Sequence, residues 1–373
     1  MIIHTPYRVC PLGAHIDHQH GVVTGFAIDR GVTLDYEPVT DGSTHLVSVN
    51  YAGVADFTMT DGLDREHMWG DFARAAVVAL QRNYTLTKGI KGTVSGTLPV
   101  GGLSSSASVI LSYLQAYCQV NDIHLLRPEL VRNALWAENH YIGIGVGKLD
   151  PSCEVYCKKD HLLVLDTATD ETQLIPVNPA MPDFEIMVLF SGRERSLGGT
   201  AYNTRVDECK SAAYACMAFE GMEYGKYAEA FLRDVPYAVY AEHRERLPIP
   251  WRRRADHFYG EQKRVRDGIK AWRIGDLAEF GKNMFESGRS SIDLYEVGSA
   301  ELAALHEIME ETPGVYGGRF SGAGFNGSAV GLVDPLRKEE ISVHITERYL
   351  KQFPEMKGRF EINFCRTADG VNV

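Results

Sequence analysis

Residues Leu98 to Ser108 contain two adjacent glycines (Gly101, Gly102), Leu103 and three consecutive hydroxyls (Ser104, Ser105, Ser106). They follow a β-like run, Ile90 to Val94, and lead into an apolar-periodic segment through Tyr117 that reads as a helix. A helix starting near Ser104–Ser106 points unpaired N–H groups and the positive end of its dipole back into the loop. Glycines let a bulky anion approach those donors, and hydroxyls add hydrogen bonds or ligate a divalent metal. The natural guest is a polyphosphate. A plain Ser N-cap behind a flexible turn would need only one hydroxyl. The Walker lysine is absent, because Gly147-Lys148, Gly225-Lys226 and Gly281-Lys282 each lack a following Ser or Thr. A nucleotide bound here would use another geometry than the P-loop.

Three other stretches carry chemistry. Near the N-terminus, Gly13 and Gly21 bracket a loop holding His15, Asp17, His18, Gln19 and His20. Those histidines match no metalloenzyme spacing; a hydrogen-bonding patch for a polyol and a polar surface turn are the alternatives. Farther on, Ala137-Glu138-Asn139-His140 ends a helical pattern, and Gly143, Gly145 and Gly147 form an irregular loop that delivers Asp150. A carboxylate at Glu138 and another at Asp150 would suit a metal ligand and a base. Late in the chain, residues 322–327 satisfy G-x-G-x-x-G but run into a strand-like segment, Ser328 to Val333. A dinucleotide fingerprint would open a helix after a first strand, so that reading fails. A tight glycine turn closing on another ligand's phosphates, or plain hairpin structure, remains.

The elements that must hold these loops read as a β-rich first half and a helical later stretch. Val22–Pro38 and His45–Met59 are β-like, and Trp69–Leu80 and Arg127–His140 are helix candidates, the latter with Pro128 in its first turn. Strand-like runs at His161–Leu165 and Phe184–Phe190 flank a polar segment, Asp166 to Pro182, where the domain boundary is expected, giving units 1–175 and 176–373. Tyr202–Glu220, Pro236–Arg246, Arg252–Trp272 and Asp276–Arg289 carry helical periodicity. Arg252, Arg253, Arg254, Lys263, Arg264 and Arg266 are interleaved with Asp256, Glu261 and Asp267, which reads as a solvated helix face.

A chain of 373 residues with 45% hydrophobic and 23% charged residues is an ordinary globular protein with room for two domains. Its net charge of −11 argues against a nucleic-acid or anionic-membrane surface. No leader pattern and no uninterrupted membrane-length apolar run is expected. Seven scattered cysteines, an odd number, read as reduced cytoplasmic thiols. Cys153 and Cys157 have no second pair to make a zinc site.

Taken together and in order, these segments resemble the GHMP small-molecule kinases, specifically the galactokinase branch. Arg8 to Gly21 resembles the galactokinase signature, usually R-V-N-L-I-G-E-H-T-D-Y-x-x-G. Leu98 to Ser108 resembles P-x-G-x-G-L-S-S-S-A-S, one residue shorter before the leucine. Ala137-Glu138-Asn139 with Asp150, the stretch 321–327, Tyr202-Asn203-Thr204-Arg205 and Tyr295-Glu296-Val297 also fit. The resemblance implies an α+β, two-domain fold: an N-terminal domain with ribosomal-protein-S5-like β/α layers, a C-terminal α/β-sandwich domain, and the active site in the cleft between them. It further implies an ATP-dependent sugar kinase using Mg²⁺, a monomer or homodimer.

By position, the resemblance makes Asp150 the catalytic carboxylate and Arg8 the neighbouring cation. Ser106 and Glu138 would hold Mg²⁺. Pro99 and Gly101, Gly102, Leu103, Ser104, Ser105 and Ser106 would wrap the ATP phosphates, with Trp69 near the adenine. Ala14, His15, Ile16, Asp17, His18 and Tyr202 would form the sugar site. Ala14 departs from the galactokinases, which carry Glu there, beside the C6 hydroxyl. An alanine removes an acceptor for that hydroxyl and a like-charge repulsion against a C6 carboxylate. At about 4 Å and an effective dielectric near 20, that repulsion is several kcal/mol. The opening pattern also resembles the galacturonokinases, so D-galacturonate is the expected acceptor and D-galactose the alternative. His18, Arg193 and Arg195 are the candidate partners for its carboxylate. A non-catalytic sugar-sensing homologue would be expected to have lost part of Ser104–Ser106, Glu138 or Asp150, all of which are present.

Overall fold

The computed structural model describes residues 1–98, 101–193, 199–325 and 327–371. Its first sheet is built from β1 (Ile2–Val9), β2 (Val22–Val39), β3 (Ser43–Ser48), β4 (Val54–Thr58), β5 (Gly89–Gly96), β6 (His161–Asp166) and β7 (Thr172–Pro176). A second sheet holds β8 (Glu185–Phe190), β9 (Val315–Phe320), β10 (Ser328–Val333) and β11 (Glu361–Cys365), in the order β11-β8-β10-β9. A last short strand, β12 (Thr367–Ala368), returns to the first sheet and pairs with β2.

The 18-residue β2 organises the first sheet. Its far half pairs with β5, its near end with β6, and β1 runs antiparallel along its middle with a register shift between Pro6 and Tyr7. Nearly all of its inward side chains (Val23, Phe26, Ile28, Leu34, Tyr36) are buried, as expected for β-branched and aromatic residues on a pleated surface. The segment read as one β-like run, 45–59, is instead the two strands of a hairpin, because Asn50 to Gly53 turn the chain between β3 and β4. Thr172–Pro176, read as part of a boundary segment, is the edge strand beside β6.

Helices α1 (Asp71–Gln81), α2 (Ser105–Val120), α3 (Arg127–Trp136) and α4 (Leu149–Tyr156) cover this sheet. α2 is sunk in the core, and its interior hydroxyls are satisfied: Ser112 Oγ lies 2.8 Å from Thr5 Oγ1, and Ser108 Oγ donates to Glu154 Oε1 at 2.7 Å. Around the second sheet lie α5 (Gly199–Glu220), α6 (Tyr237–His243), α7 (Ile249–Ile274), α8 (Leu277–Asp293), α9 (Ala300–Glu310) and α10 (Lys338–Gln352). α10 was not evident from the sequence, where its three buried anchors Ile341, Ile345 and Tyr349 sit among charged residues.

The basic stretch of α7 is solvated only in part: Arg253, Lys263 and Arg266 are exposed, but Arg254 and Arg264 are not. Arg254 is fully buried, with its Nε 2.6 Å from Glu208 and its Nη2 2.6 Å from Glu296. Arg264 is also mostly enclosed, 2.7 Å from the buried Glu261. Of the interleaved acids, Glu261 is an internal partner, whereas Asp267 pairs with the exposed Lys263 and Lys270. All seven cysteines are free and buried. No helix among the described residues is long and apolar enough to cross a membrane.

Candidate active site

A cleft opens between the two sheets, where the ends of β1, α2 and α4 meet the turn joining β9 to β10. Arg8, at the end of β1, reaches across it. Its Nε donates to Asp150 Oδ1 at 2.6 Å and its Nη2 to Oδ2 at 2.7 Å, a bidentate pair. The same guanidinium donates from Nη1 to the Gly102 carbonyl at 2.9 Å. Burial alone would pull the Arg8 pKa down, but the Asp150 charge and hydrogen bonds outweigh it and raise it. Asp150 stands in the first turn of α4, where a carboxylate is favoured by the helix dipole.

The glycine loop ends at Ser104, which caps α2 in the left-handed region (φ 66°) with no side chain closing the helix end. The first N–H groups of α2 therefore face the cleft beside Ser105 and Ser106. Ser106 Oγ donates to Glu138 Oε1 at 2.7 Å. Glu138 is buried in a wide π-type turn, Ala137–Ile142, that interrupts the end of α3. Asn139 ties down the following loop by accepting Val146 N at 2.9 Å and donating to Val146 O at 3.2 Å.

Opposite the serines, Ala14, His15, Asp17 and Tyr202 line the same cavity. His15 stacks on Tyr295 with ring centroids 4.7 Å apart, and its buried Nε2 has no hydrogen-bond partner among the described residues. Burial and the Arg319 charge hold the His15 ring well below the usual histidine range, so it is neutral. Asp17 Oδ2 accepts the Leu149 N–H at 3.3 Å, and burial with the nearby Asp150 charge pushes its carboxyl up to about 6. Gly147 makes room for it: a Cβ there would lie 2.2 Å from Asp17 Oδ2. The turn with the G-x-G-x-x-G pattern packs on the phosphate-type loop, with Ser328 Oγ donating to Gly101 O at 2.9 Å.

Several expected residues stand elsewhere. Ile16 is fully buried and turned into the core, because its apolar side chain fills space against Gly21. Leu103 is likewise buried, and its carbonyl accepts the Arg8 N–H at 3.3 Å. Trp69 does not line the cavity; its Nε1 donates to Ala52 O at 3.0 Å, which fixes it on the β3–β4 hairpin. His18 is hydrogen-bonded through Nε2 to Tyr295 Oη at 2.9 Å, and burial pushes it down to about 3. It is therefore neutral, and both of its ring nitrogens are already engaged, Nδ1 by Gln19 Nε2 at 3.1 Å. Arg193 is half exposed and engaged by Glu301. Pro99, Arg195 and Asn326 lie outside the described residues.

Two residues that the sequence did not single out hold the loop from behind. His257 Nε2 donates to Ala14 O at 3.1 Å, and Glu261 Oε1 accepts the Gly13 N–H at 2.7 Å. Their four-residue spacing on α7 was the available signal. It was hidden in a helix read as solvated.

This fold and cleft define a two-domain kinase of small molecules. The N-terminal model of the GHMP kinases matches residues 71–158, and the C-terminal model matches residues 266–351. A galacturonokinase of Arabidopsis thaliana is 35% identical over 100% of this chain and 93% of its own length. A galactokinase of Roseiflexus sp. is 31% identical over 100% of this chain and 92% of its own. Among solved structures, Lactococcus lactis galactokinase complexed with galactose superposes with a TM-score of 0.89 at 26% identity, covering 100% of this chain and 94% of that one. The chain belongs to the GHMP kinases. Within them it is a sugar kinase of the galactokinase/galacturonokinase type, an ATP-dependent phosphotransferase.

Proposed function

We propose that this enzyme transfers the γ-phosphoryl group of ATP to the anomeric hydroxyl of D-galacturonate, giving α-D-galacturonate 1-phosphate. The reaction would occur in the cleft between a unit of residues 1–175 and one of residues 176–373. The observation that carries the uronate assignment is Ala14, a small apolar residue on the cavity wall next to His15. An acid there would repel a C6 carboxylate; a methyl group does not. The similarity to the plant galacturonokinase supports the same acceptor.

Phosphoryl transfer is mostly positioning and charge neutralisation. The N–H groups at the start of α2 and the hydroxyls of Ser104–Ser106 would hold the phosphates of ATP. Ser106 and Glu138, a contacting pair of hard oxygen donors beside that loop, fit Mg²⁺. When bound, the ion would neutralise phosphate charge. Asp150 accepts or orients the anomeric proton. Arg8 fixes both carboxylate oxygens and, through the Gly102 carbonyl, sets their distance from the phosphate loop. His15 Nε2, Asp17 and Tyr202 offer hydrogen bonds to the remaining hydroxyls.

The test is an ATP-consumption panel with D-galacturonate, D-galactose and D-glucuronate, with the phosphorylated position identified in the product. Galacturonate should have the highest kcat/KM. The second reading, a galactokinase, is favoured by the close superposition on the galactose-bound Lactococcus enzyme, and a preference for galactose would establish it.

A further inference from the structure

We infer that the buried cluster of Arg264, Glu261 and Arg319, behind the Gly13–His15 loop, supplies the positive field that holds the acceptor's carboxylate and thereby selects uronic acids over neutral sugars. The inference rests on the galacturonate reading above.

Glu261 is fully buried, and four groups converge on its carboxylate. Oε1 accepts the Gly13 N–H at 2.7 Å and Ser287 Oγ at 2.6 Å, and Oε2 accepts Arg264 Nε at 2.7 Å. Arg319 Nη1 stands 3.9 Å from Oε1. The other partners of Arg319 are neutral: the hydroxyls of Ser287 and Ser291 and the carbonyl of Phe320. Two guanidiniums thus share one carboxylate, and the cluster carries one unit of positive charge. Arg264 Nη2 is buried with no hydrogen-bond partner among the described residues, as expected where cation exceeds anion. Burial would raise the Glu261 pKa, but Arg264, His257 and Arg319 together hold it down to about 2, so the carboxylate is ionised.

The cluster sits one peptide behind the sugar wall. Glu261 grips Gly13, and His257, one turn earlier on α7, grips the carbonyl of Ala14. Cys10 and His15, both lining the cavity, lie within electrostatic reach of Arg319. Among the described lining residues Arg8 is the only cation, and both of its facing donors are committed to Asp150. Asp17, Glu138 and Asp150 make up the rest of the charged lining, all of them acids. An incoming carboxylate therefore finds its positive partner behind the wall, not in it. In a buried, weakly screened setting a charge acts at such a distance without contact. A hydroxymethyl group gains nothing from it. Arg264 and Arg319 do not touch the sugar; they are specificity-determining positioning residues.

The experiment compares kcat/KM for D-galacturonate and D-galactose, and Kd for both sugars by calorimetry, in the wild type, Arg319→Met, Arg264→Gln, Arg319→Lys and Arg264→Lys. The two charge-removing variants should lower the galacturonate-to-galactose ratio by about tenfold, mostly through the KM and Kd of galacturonate. The lysine variants should retain it. Arg319→Met opens space in the core and leaves two serine hydroxyls unpaired; if it fails to fold, Arg264→Gln at the outer edge of the cluster decides alone. Parallel losses on both sugars, with the ratio unchanged, would mean a purely structural cluster and overturn the inference while leaving the functional reading intact. A wild type that phosphorylates galactose but not galacturonate overturns that reading, and the inference with it.

Discussion

Gly102 and Gly322 lie back to back across the cleft: a Cβ on Gly322 would stand 2.7 Å from the Gly102 Cα. Gly101 and Gly327 repeat the contact, with a Cβ on Gly101 falling 2.9 Å from the Gly327 Cα. Two glycine turns from distant parts of the chain thus interlock main chain to main chain, and the second fixes the shape of the first. Gly322 also has φ +70°, which any side chain strains. Gly322→Ala should cost ~2 kcal/mol of stability and raise the KM for ATP more than that for the sugar. Thermal unfolding and steady-state kinetics check this; equal changes in both KM values would contradict it.

Asp150→Asn keeps the shape of the carboxylate but removes its capacity to take a proton. Turnover should drop by about 10²–10⁴-fold, with sugar affinity by calorimetry little changed. Near-normal turnover would remove Asp150 from the chemistry.

Ala14→Glu introduces an acid on the wall that faces the sugar. Galacturonate turnover should fall first and furthest, while galactose turnover falls less or rises. The same sugar panel reads the outcome. Equal losses on both sugars would show that residue 14 does not sense the carboxylate.

Gly147→Ala places a methyl group 2.2 Å from Asp17 Oδ2 and 2.9 Å from the His18 backbone N, so the Asp17 carboxylate must shift within the cavity it lines. The KM for the sugar should rise by roughly tenfold or more, the cost of about one misplaced charged hydrogen bond, with the KM for ATP nearly constant. A sugar KM like that of the wild type would show that Asp17 does not contact the acceptor.

Glu154 is fully buried on α4, one turn after Asp150, and burial holds its carboxyl well above the ordinary 4.5, although the Ser108 hydroxyl opposes the shift. The folded state therefore keeps a proton that the unfolded chain releases above pH 4.5. Stability should fall as pH rises above that value, until the folded carboxyl itself titrates. Glu154→Gln abolishes this dependence and should flatten the decline of denaturation midpoint with pH. An unchanged profile would assign the dependence to other groups.

The sequence by itself determined the local pieces. Gly101, Gly102 and the three serines before an apolar helix specify an anion-binding helix start, since glycine torsions and unpaired N–H groups are properties of the local chain. The 3.6-residue and two-residue periods located α5, α7, α8 and β2 for the same reason. The family pattern linked Arg8, Glu138 and Asp150, although spacing alone could not show that they meet.

Tertiary structure decided what faces what. Ile16 and His18 flank the cavity-lining Asp17 in sequence yet do not line the cavity, because burial in the core and the Tyr295 hydroxyl claim them. Arg254 and Arg264 read as solvated until α5 and α8 pack against α7 and enclose them. The interlock of Gly102 with Gly322, and the grip of Glu261 on Gly13, join residues hundreds of positions apart. Such contacts depend on how the two sheets are set against one another, which no local propensity encodes.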